Sequence, residues 1–271
     1  MWVEFIKFFV YASIIVLIAK YILVKILRNL AYVFKLKAKD VGNIAGIATS
    51  IPEFLTVTFS AYTGLIGTSI FNILSSNIIN FFQYILSIFI NKNQKKLQNM
   101  AIKTDLILVL ITIIIPIILI VTKTESNIIL LPIFIILFLL FLKISKNAHR
   151  VYIKNEINLS DNVEKKNKSA VLNILGIIVV GIVLYYIGNL LSNTLEILCT
   201  NLGVPEFVLG VLLGIITSIP EFITFVESQK YHNQKETNEG VVEATSNLLF
   251  SNLMNLFIIQ SIGIIIFLIF A

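Results

Sequence analysis

The hexapeptide Thr49-Ser50-Ile51-Pro52-Glu53-Phe54 recurs as Thr217-Ser218-Ile219-Pro220-Glu221-Phe222, and each copy lies inside a strongly apolar segment. Proline has no N–H and its ring clashes with the carbonyl four residues earlier, so a helix breaks or kinks there. A glutamate in hydrocarbon costs roughly 2–4 kcal/mol and marks a functional position by default. A chain that places Pro-Glu twice at such depth is committed to broken membrane helices with a carboxylate at each break. That combination points to a cation site at bilayer depth.

The surrounding composition agrees. Of 271 residues, 57% are apolar and only 13% charged, and the mean hydropathy is +0.93. Soluble domains carry about a quarter charged residues. The fold class is therefore an all-α polytopic membrane protein. Taking about 20 apolar residues per span, the sequence predicts eight: 5–27, 41–62, 65–90, 102–122, 127–146, 169–191, 204–227 and 241–270. The apolar N-terminal run reads as the first span and not as a cleaved signal. Cys199 is the single cysteine, which excludes an intrachain disulfide and a thiolate cluster. His149 and His232 fall in polar stretches and are expected at the surface. No nucleotide motif or catalytic triad is present, so the chain reads as no enzyme, with no cofactor and no nucleic-acid partner.

Cationic residues alternate between the loops. Lys25, Arg28, Lys35, Lys37 and Lys39 follow span one, and Lys92, Lys95, Lys96 and Lys103 follow span three. Lys143, Lys146, Arg150, Lys154, Lys165, Lys166 and Lys168 flank the loop after span five, and Lys230 and Lys235 follow span seven. The opposite side has Lys7 and Lys123 alone, while Lys20 lies within span one. By the positive-inside rule the N-terminus is outside and the polar segment 147–168 is a cytoplasmic linker. The expected membrane is the plasma membrane. The expected units are 1–146, with a first repeat over about 41–90, and 169–271, with a second over about 204–270.

The repeat extends beyond the hexapeptide. Gly42, Gly46 and Ile47 match Gly210, Gly214 and Ile215 in the register that pairs Glu53 with Glu221. Further on, Asn72, Ser76, Asn77 and Asn80 match Asn247, Ser251, Asn252 and Asn255, with seven extra residues in the second copy's polar hairpin around Gln229–Glu239. The first copy follows one span and the second follows six, an odd difference, so the copies enter the bilayer from opposite sides. Such inverted repeats characterise transporters, with ion sites at the repeat interface.

Each block supplies oxygen ligands. Freed carbonyls at the break, the hydroxyls of Thr49 and Ser50 (Thr217 and Ser218) and the carboxylate of Glu53 (Glu221) lie within five residues. Hard cations such as Ca²⁺ and Na⁺ prefer that set. Asn72, Ser76 and Asn80, spaced i, i+4, i+8, form one polar stripe, repeated by Asn247, Ser251 and Asn255. These amide and hydroxyl oxygens would complete a coordination shell; the competing reading is interhelical hydrogen bonding. The Gly42/Gly46 and Gly210/Gly214 pairs read as close-packing surfaces. Glu227 and Glu243, near the ends of spans seven and eight, read as solvated, with a cation-attracting vestibule as the alternative.

The two blocks resemble the alpha repeats of the sodium/calcium exchanger family, within the cation/calcium exchanger superfamily. The repeats cover about a third of the chain. The resemblance implies alternating-access exchange of Ca²⁺ against Na⁺ or H⁺ through two inverted five-helix halves. It implies Glu53 and Glu221 as central calcium-binding carboxylates, joined by Asn80. Thr49, Ser50, Thr217, Ser218, Ser76 and Ser251 would line flanking sodium sites. Two departures stand out. Asn255 replaces an aspartate of well-known members, leaving two carboxylates in the core, which opens the reading of an exchanger for another cation. The family commonly has ten spans and eight are expected here. That opens two further expectations: a transport-inactive ion-binding membrane protein lacking the last two helices, or a second copy or partner subunit covering the shortened half.

Overall fold

A computed structural model describes residues 2–23, 25–26, 29, 37–156, 170–233 and 238–270. Eleven α-helices are described: α1 Trp2–Ile18, α2 Ala38–Thr49, α3 Ile51–Tyr62, α4 Ile66–Ile90, α5 Met100–Thr122, α6 Leu130–Glu156, α7 Ala170–Glu196, α8 Glu206–Thr217, α9 Ile219–Asn233, α10 Glu239–Leu253 and α11 Gln260–Phe270. They make eight stretches long and apolar enough to cross a membrane, because α2–α3, α8–α9 and α10–α11 each run on as one span. Both expected proline breaks are present. The helix stops at Thr49 or Thr217, a single serine turns, and the next helix starts with proline in its first turn, where its missing N–H is not needed.

Two boundaries differ from the sequence expectation. The fifth span was expected to end at 146, yet α6 continues to Glu156, ten residues into the supposed linker. Its polar last turns still follow a helical course because His149 points back into the bundle. The sixth span was expected to end at 191, yet α7 and a π turn over Ile197–Asn201 carry it on past Cys199. The rest of the expected linker, 157–168, lies outside the described residues.

The two repeats pack crosswise. α2 lies against α10, and α8 lies against α4. Glycine permits both approaches. A Cβ on Gly42 or Gly46 would come within 3 Å of the α10 backbone around Glu243 and Asn247. On Gly210 or Gly214 it would come within 3 Å of the α4 backbone at Thr68 and Asn72. Around this centre sit two apolar clusters, one uniting α4, α5, α6, α9 and α10 and one uniting α1, α3, α7 and α8. The outer faces of α1, α5, α6 and α7 carry exposed Ile, Leu and Val, such as Ile118 and Leu139. The molecule is thus polar at its centre and apolar outside, the arrangement hydrocarbon demands.

Candidate functional site

Glu53 and Glu221 are each the sixteenth residue of a 25-residue span, counted from Ala38 and from Glu206. Each therefore sits mid-span, on the first turn of the helix that restarts after the break. The crosswise packing brings the two within electrostatic reach of each other. Hydroxyls of both repeats border each one: Ser76 of its own repeat and Thr217 of the other face Glu53, and Ser251 of its own repeat and Thr49 of the other face Glu221. Ser251 Oγ donates to Glu221 Oε1 at 3.2 Å. Ser50 and Ser251 share a hydroxyl bond of 2.9 Å, and Ser76 and Thr217 one of 3.4 Å. Each shared bond joins one repeat to the other.

Beside the carboxylates stand four asparagines. Asn80 Nδ2 donates to Asn252 Oδ1 at 3.3 Å, and Asn255 Nδ2 donates to Asn77 Oδ1 at 3.2 Å. Asn77 and Asn252 also donate to each other's backbone carbonyls, at 3.4 and 3.3 Å. The amide N–H ends of Asn80 and Asn255 are thereby engaged, which leaves their oxygens as acceptors. Neither of those oxygens has a hydrogen-bond partner, nor have Glu53 Oε1 and Oε2, Glu221 Oε2 or Ser218 Oγ. All six atoms are buried. Buried acceptors without donors cost free energy unless something electropositive meets them. The six are oxygens, which suits a hard cation. Among the described residues no group of three or more His, Cys, Asp or Glu gathers that could hold a metal by those ligands.

The twelve residues singled out from the sequence are all at most 1% exposed. Glu53, Glu221, Asn80, Asn255, Ser50, Ser76, Thr217 and Ser251 interlock as described, while Thr49 reaches Gly46 O at 3.4 Å and Asn247 Oδ1 at 3.5 Å. Asn72 and Asn247 lie one turn away. Their amides donate to Thr56 Oγ1 and to Thr224 Oγ1, each at 2.6 Å. Thr56 and Thr224 carry no sequence signal of their own beyond the repeat register that pairs them. Asn77 and Asn252 are repeat partners in the sequence, and only the packing makes them cross-links.

Two surface expectations fail. His149 is fully buried, with Nε2 2.7 Å from Asp105 Oδ2, which is itself buried. A polar local sequence had suggested a loop, but the pairing with an acid on α5 draws α6 inward. Asp105 was the missed signal, an acid inside an apolar span. Glu243 is 2% exposed and accepts from Ser228 Oγ at 2.7 Å, because α9 and α10 close over it. Glu227, by contrast, is exposed as expected. The side chain of His232 lies outside the described residues.

A family model described as sodium/calcium exchanger protein matches residues 5–146 and 172–269. No curated protein matches the chain significantly. The fold is similar to that of the sodium-calcium exchanger NCX_Mj soaked with 100 mM Na⁺ and 10 mM Sr²⁺, at a TM-score of 0.55 and 18% identity, over 98% of this chain and 83% of that one. The same exchanger soaked with 2.5 mM Na⁺ and 10 mM Sr²⁺ gives a TM-score of 0.54 at 20% identity over the same shares. With the family match spanning both repeats and the eight apolar spans, this chain is an integral membrane protein that belongs to the sodium/calcium exchanger family.

Proposed function

We propose that this protein is a secondary antiporter exchanging Ca²⁺ for Na⁺ or H⁺ by alternating access, with Glu53 and Glu221 at the centre of the ion site. The observation that carries this reading is the convergence of two mid-span carboxylates from inverted repeats, ringed by buried oxygens without donors. Two carboxylates supply two negative charges. One Ca²⁺ neutralises them, and so do two Na⁺ or two protons. The same oxygens therefore serve competing cargoes in turn, which is the requirement for exchange. Asn80, Asn255, Ser50, Ser76, Ser218, Ser251, Thr49 and Thr217 supply neutral oxygens to a cation that has shed its water. Asn72 and Asn247, with their N–H ends tied to Thr56 and Thr224, hold the stripe in register and offer oxygen from one turn away.

Alternating access needs a site that opens first to one side and then to the other. The serine turns at Ser50 and Ser218 interrupt the helical ladder beside each glutamate. They let α2 and α8 tilt against the partner repeat without dragging α3 and α9. The test is ⁴⁵Ca²⁺ uptake into proteoliposomes with Na⁺ and H⁺ gradients imposed separately. Uptake driven by either gradient supports exchange and identifies the counter-ion. No uptake under both gradients would sink the reading and favour an inert ion-binding protein. Orientation, with the N-terminus outside and the lysine-rich loops in the cytoplasm of the cell, follows from the charge asymmetry. With Cys199 replaced by serine, Lys95→Cys in intact cells should react with an impermeant thiol reagent only after permeabilisation.

A further inference from the structure

Span eight is not one regular helix. A π turn over Met254–Ile259 joins α10 to α11, and its closing bond runs from the Gln260 N–H to the Asn255 carbonyl. In an α-helix a residue five positions on stands about 140° round the axis. The wider turn brings Gln260 back over Asn255, one turn further along the span. Both residues are fully buried. Asn255 Oδ1 has no hydrogen-bond partner among the described residues, and neither has Gln260 Oε1 or Nε2.

Two contacts fix where Gln260 stands against α3. A Cβ on Gly263 would come within 2.9 Å of Val57 Cγ1, and the rings of Tyr62 and Phe270 lie 5.2 Å apart. α3 and α11 therefore run side by side in the same direction. Glu53 precedes Val57 by four residues on one face of α3, and Gln260 precedes Gly263 by three on one face of α11. Those steps are about 6 Å and about 4.5 Å along the two helices, so Gln260 stands at the level of Glu53. Both carboxylate oxygens of Glu53 also lack a donor.

The layer is otherwise apolar: Phe54, Val57, Ile73 and Ile259 pack together here. Five residues after Asn80, the first repeat has Ile85, packed against the apolar core. Fold symmetry thus asks for an aliphatic side chain at this position. A buried amide with its polar atoms unpaired is costlier there than leucine would be. It also ties no helix to another, so it is not the interhelical glue that polar residues supply in membranes.

We propose that Gln260 is a further ligand of the cation site and favours Ca²⁺ over Na⁺, its amide oxygen turning to the ion held at Glu53. Ca²⁺ takes roughly six to eight oxygens. A neutral dipole attracts a divalent charge about twice as strongly as a monovalent one at the same distance. Once the ion leaves, the N–H end of the same amide can serve the bare carboxylate. This inference rests on the exchanger reading, because it takes Glu53 as the centre of the site.

The test is thermal unfolding of the purified full-length protein in detergent, titrated with CaCl₂ or with NaCl replacing choline chloride at constant ionic strength, since an ion bound only by the folded state raises Tm. Gln260→Leu keeps the volume and removes both polar ends. In choline chloride its Tm should equal or exceed that of the wild type. Its midpoint for CaCl₂ should rise about tenfold and that for NaCl about threefold. A lower Tm without ions together with an unchanged CaCl₂ midpoint would show a merely structural side chain and overturn the proposal. Equal shifts for the two ions would overturn the preference for Ca²⁺. Gln260→Glu gives a second reading should the leucine variant fold poorly. It keeps the oxygen and adds a charge, so its CaCl₂ midpoint should fall at least about threefold; an unchanged or higher midpoint speaks against the ligand. The exchanger reading is judged by Glu53→Gln/Glu221→Gln, which should lose the rise of Tm with CaCl₂. A rise kept in that double variant refutes the core site and this ligand with it. A rise lost there, with a wild-type midpoint in Gln260→Leu, overturns the role of Gln260 alone.

Discussion

The two repeats share a scaffold and differ in what they hang on it. Both break at a serine before Pro-Glu, both tie an asparagine amide to a threonine hydroxyl at 2.6 Å, and both bury their glycine pair against the other repeat. They diverge at two places. Asn80 sits in an uninterrupted helix, whereas Asn255 lies in a π turn over Met254–Ile259 that re-aims the helix beyond it. Toward the ends, Ser60 and Thr68 in the first repeat give way to Ser228 and Glu243 in the second. The comparison teaches that the symmetric parts build the candidate site, because each half brings a threonine hydroxyl to the other's glutamate. The asymmetric parts are free to distinguish the two sides of the membrane, which a transporter working between unlike solutions requires.

The strongest way to break this comparison is at the carboxylates. Glu53→Gln and Glu221→Gln should each abolish Ca²⁺ uptake, by about 100-fold or more, since losing one of two buried charges costs about 3 kcal/mol or more. The protein should remain monodisperse in detergent. If one variant keeps wild-type uptake, the two halves are not equivalent at the core. Packing comes next. Gly42→Ala forces a Cβ onto the Glu243 carbonyl and Ser246, and should lower stability by about 1–3 kcal/mol. Gly181→Ala, with nothing within 4 Å, should be neutral or stabilise α7 by up to about 1 kcal/mol. Thermal melts of the two variants should therefore move in opposite directions or differ clearly.

The asparagine–threonine bonds offer a matched pair. Thr56→Val and Thr224→Val each leave a buried asparagine N–H without its acceptor, at a cost of about 1–3 kcal/mol. Equal losses of Tm would support the symmetry of this bond. A loss at one site alone would show that the repeats share the bond but not its weight. The smallest effect is expected from Asn255→Asp, which adds a third negative charge to the core. A third charge favours loading a further monovalent cation, so Ca²⁺ uptake should become more dependent on Na⁺ at fixed pH. Uptake under a sodium gradient, then under a pH gradient without sodium, measures this. Identical sodium dependence in variant and wild type would show that residue 255 leaves coupling unchanged.

Much of the site was legible because membrane chemistry is unforgiving. Polar residues survive in apolar spans only where they face one another, so Glu53, Ser76, Asn80 and their repeats announced themselves by type and spacing. The break at Ser50 followed from proline's missing N–H. Other residues were hidden for stated reasons. Thr56 and Thr224 look like ordinary span residues, since threonine is common in membrane helices. His149 and Glu243 sit in polar local sequence, and polar sequence reads as exposed. Only their partners, Asp105 and Ser228, reveal that they are buried.

What the sequence by itself determined is local and periodic: eight apolar spans, two proline breaks, one inverted duplication and the oxygen-only character of the candidate ligands. These depend on neighbours a few residues apart, where backbone sterics and desolvation leave few options. The tertiary structure decided which helix faces which. Nothing within α2 says that Gly42 and Gly46 will press on α10 and not on α4, yet that choice brings Thr49 to Glu221 and Thr217 to Glu53. It likewise decided that Asn80 and Asn255 donate their N–H groups to the side-chain oxygens of Asn252 and Asn77 and keep their own oxygens without a donor. The physical reason is that close packing between helices distant in sequence is settled jointly by all the surfaces in contact, and no single segment encodes it.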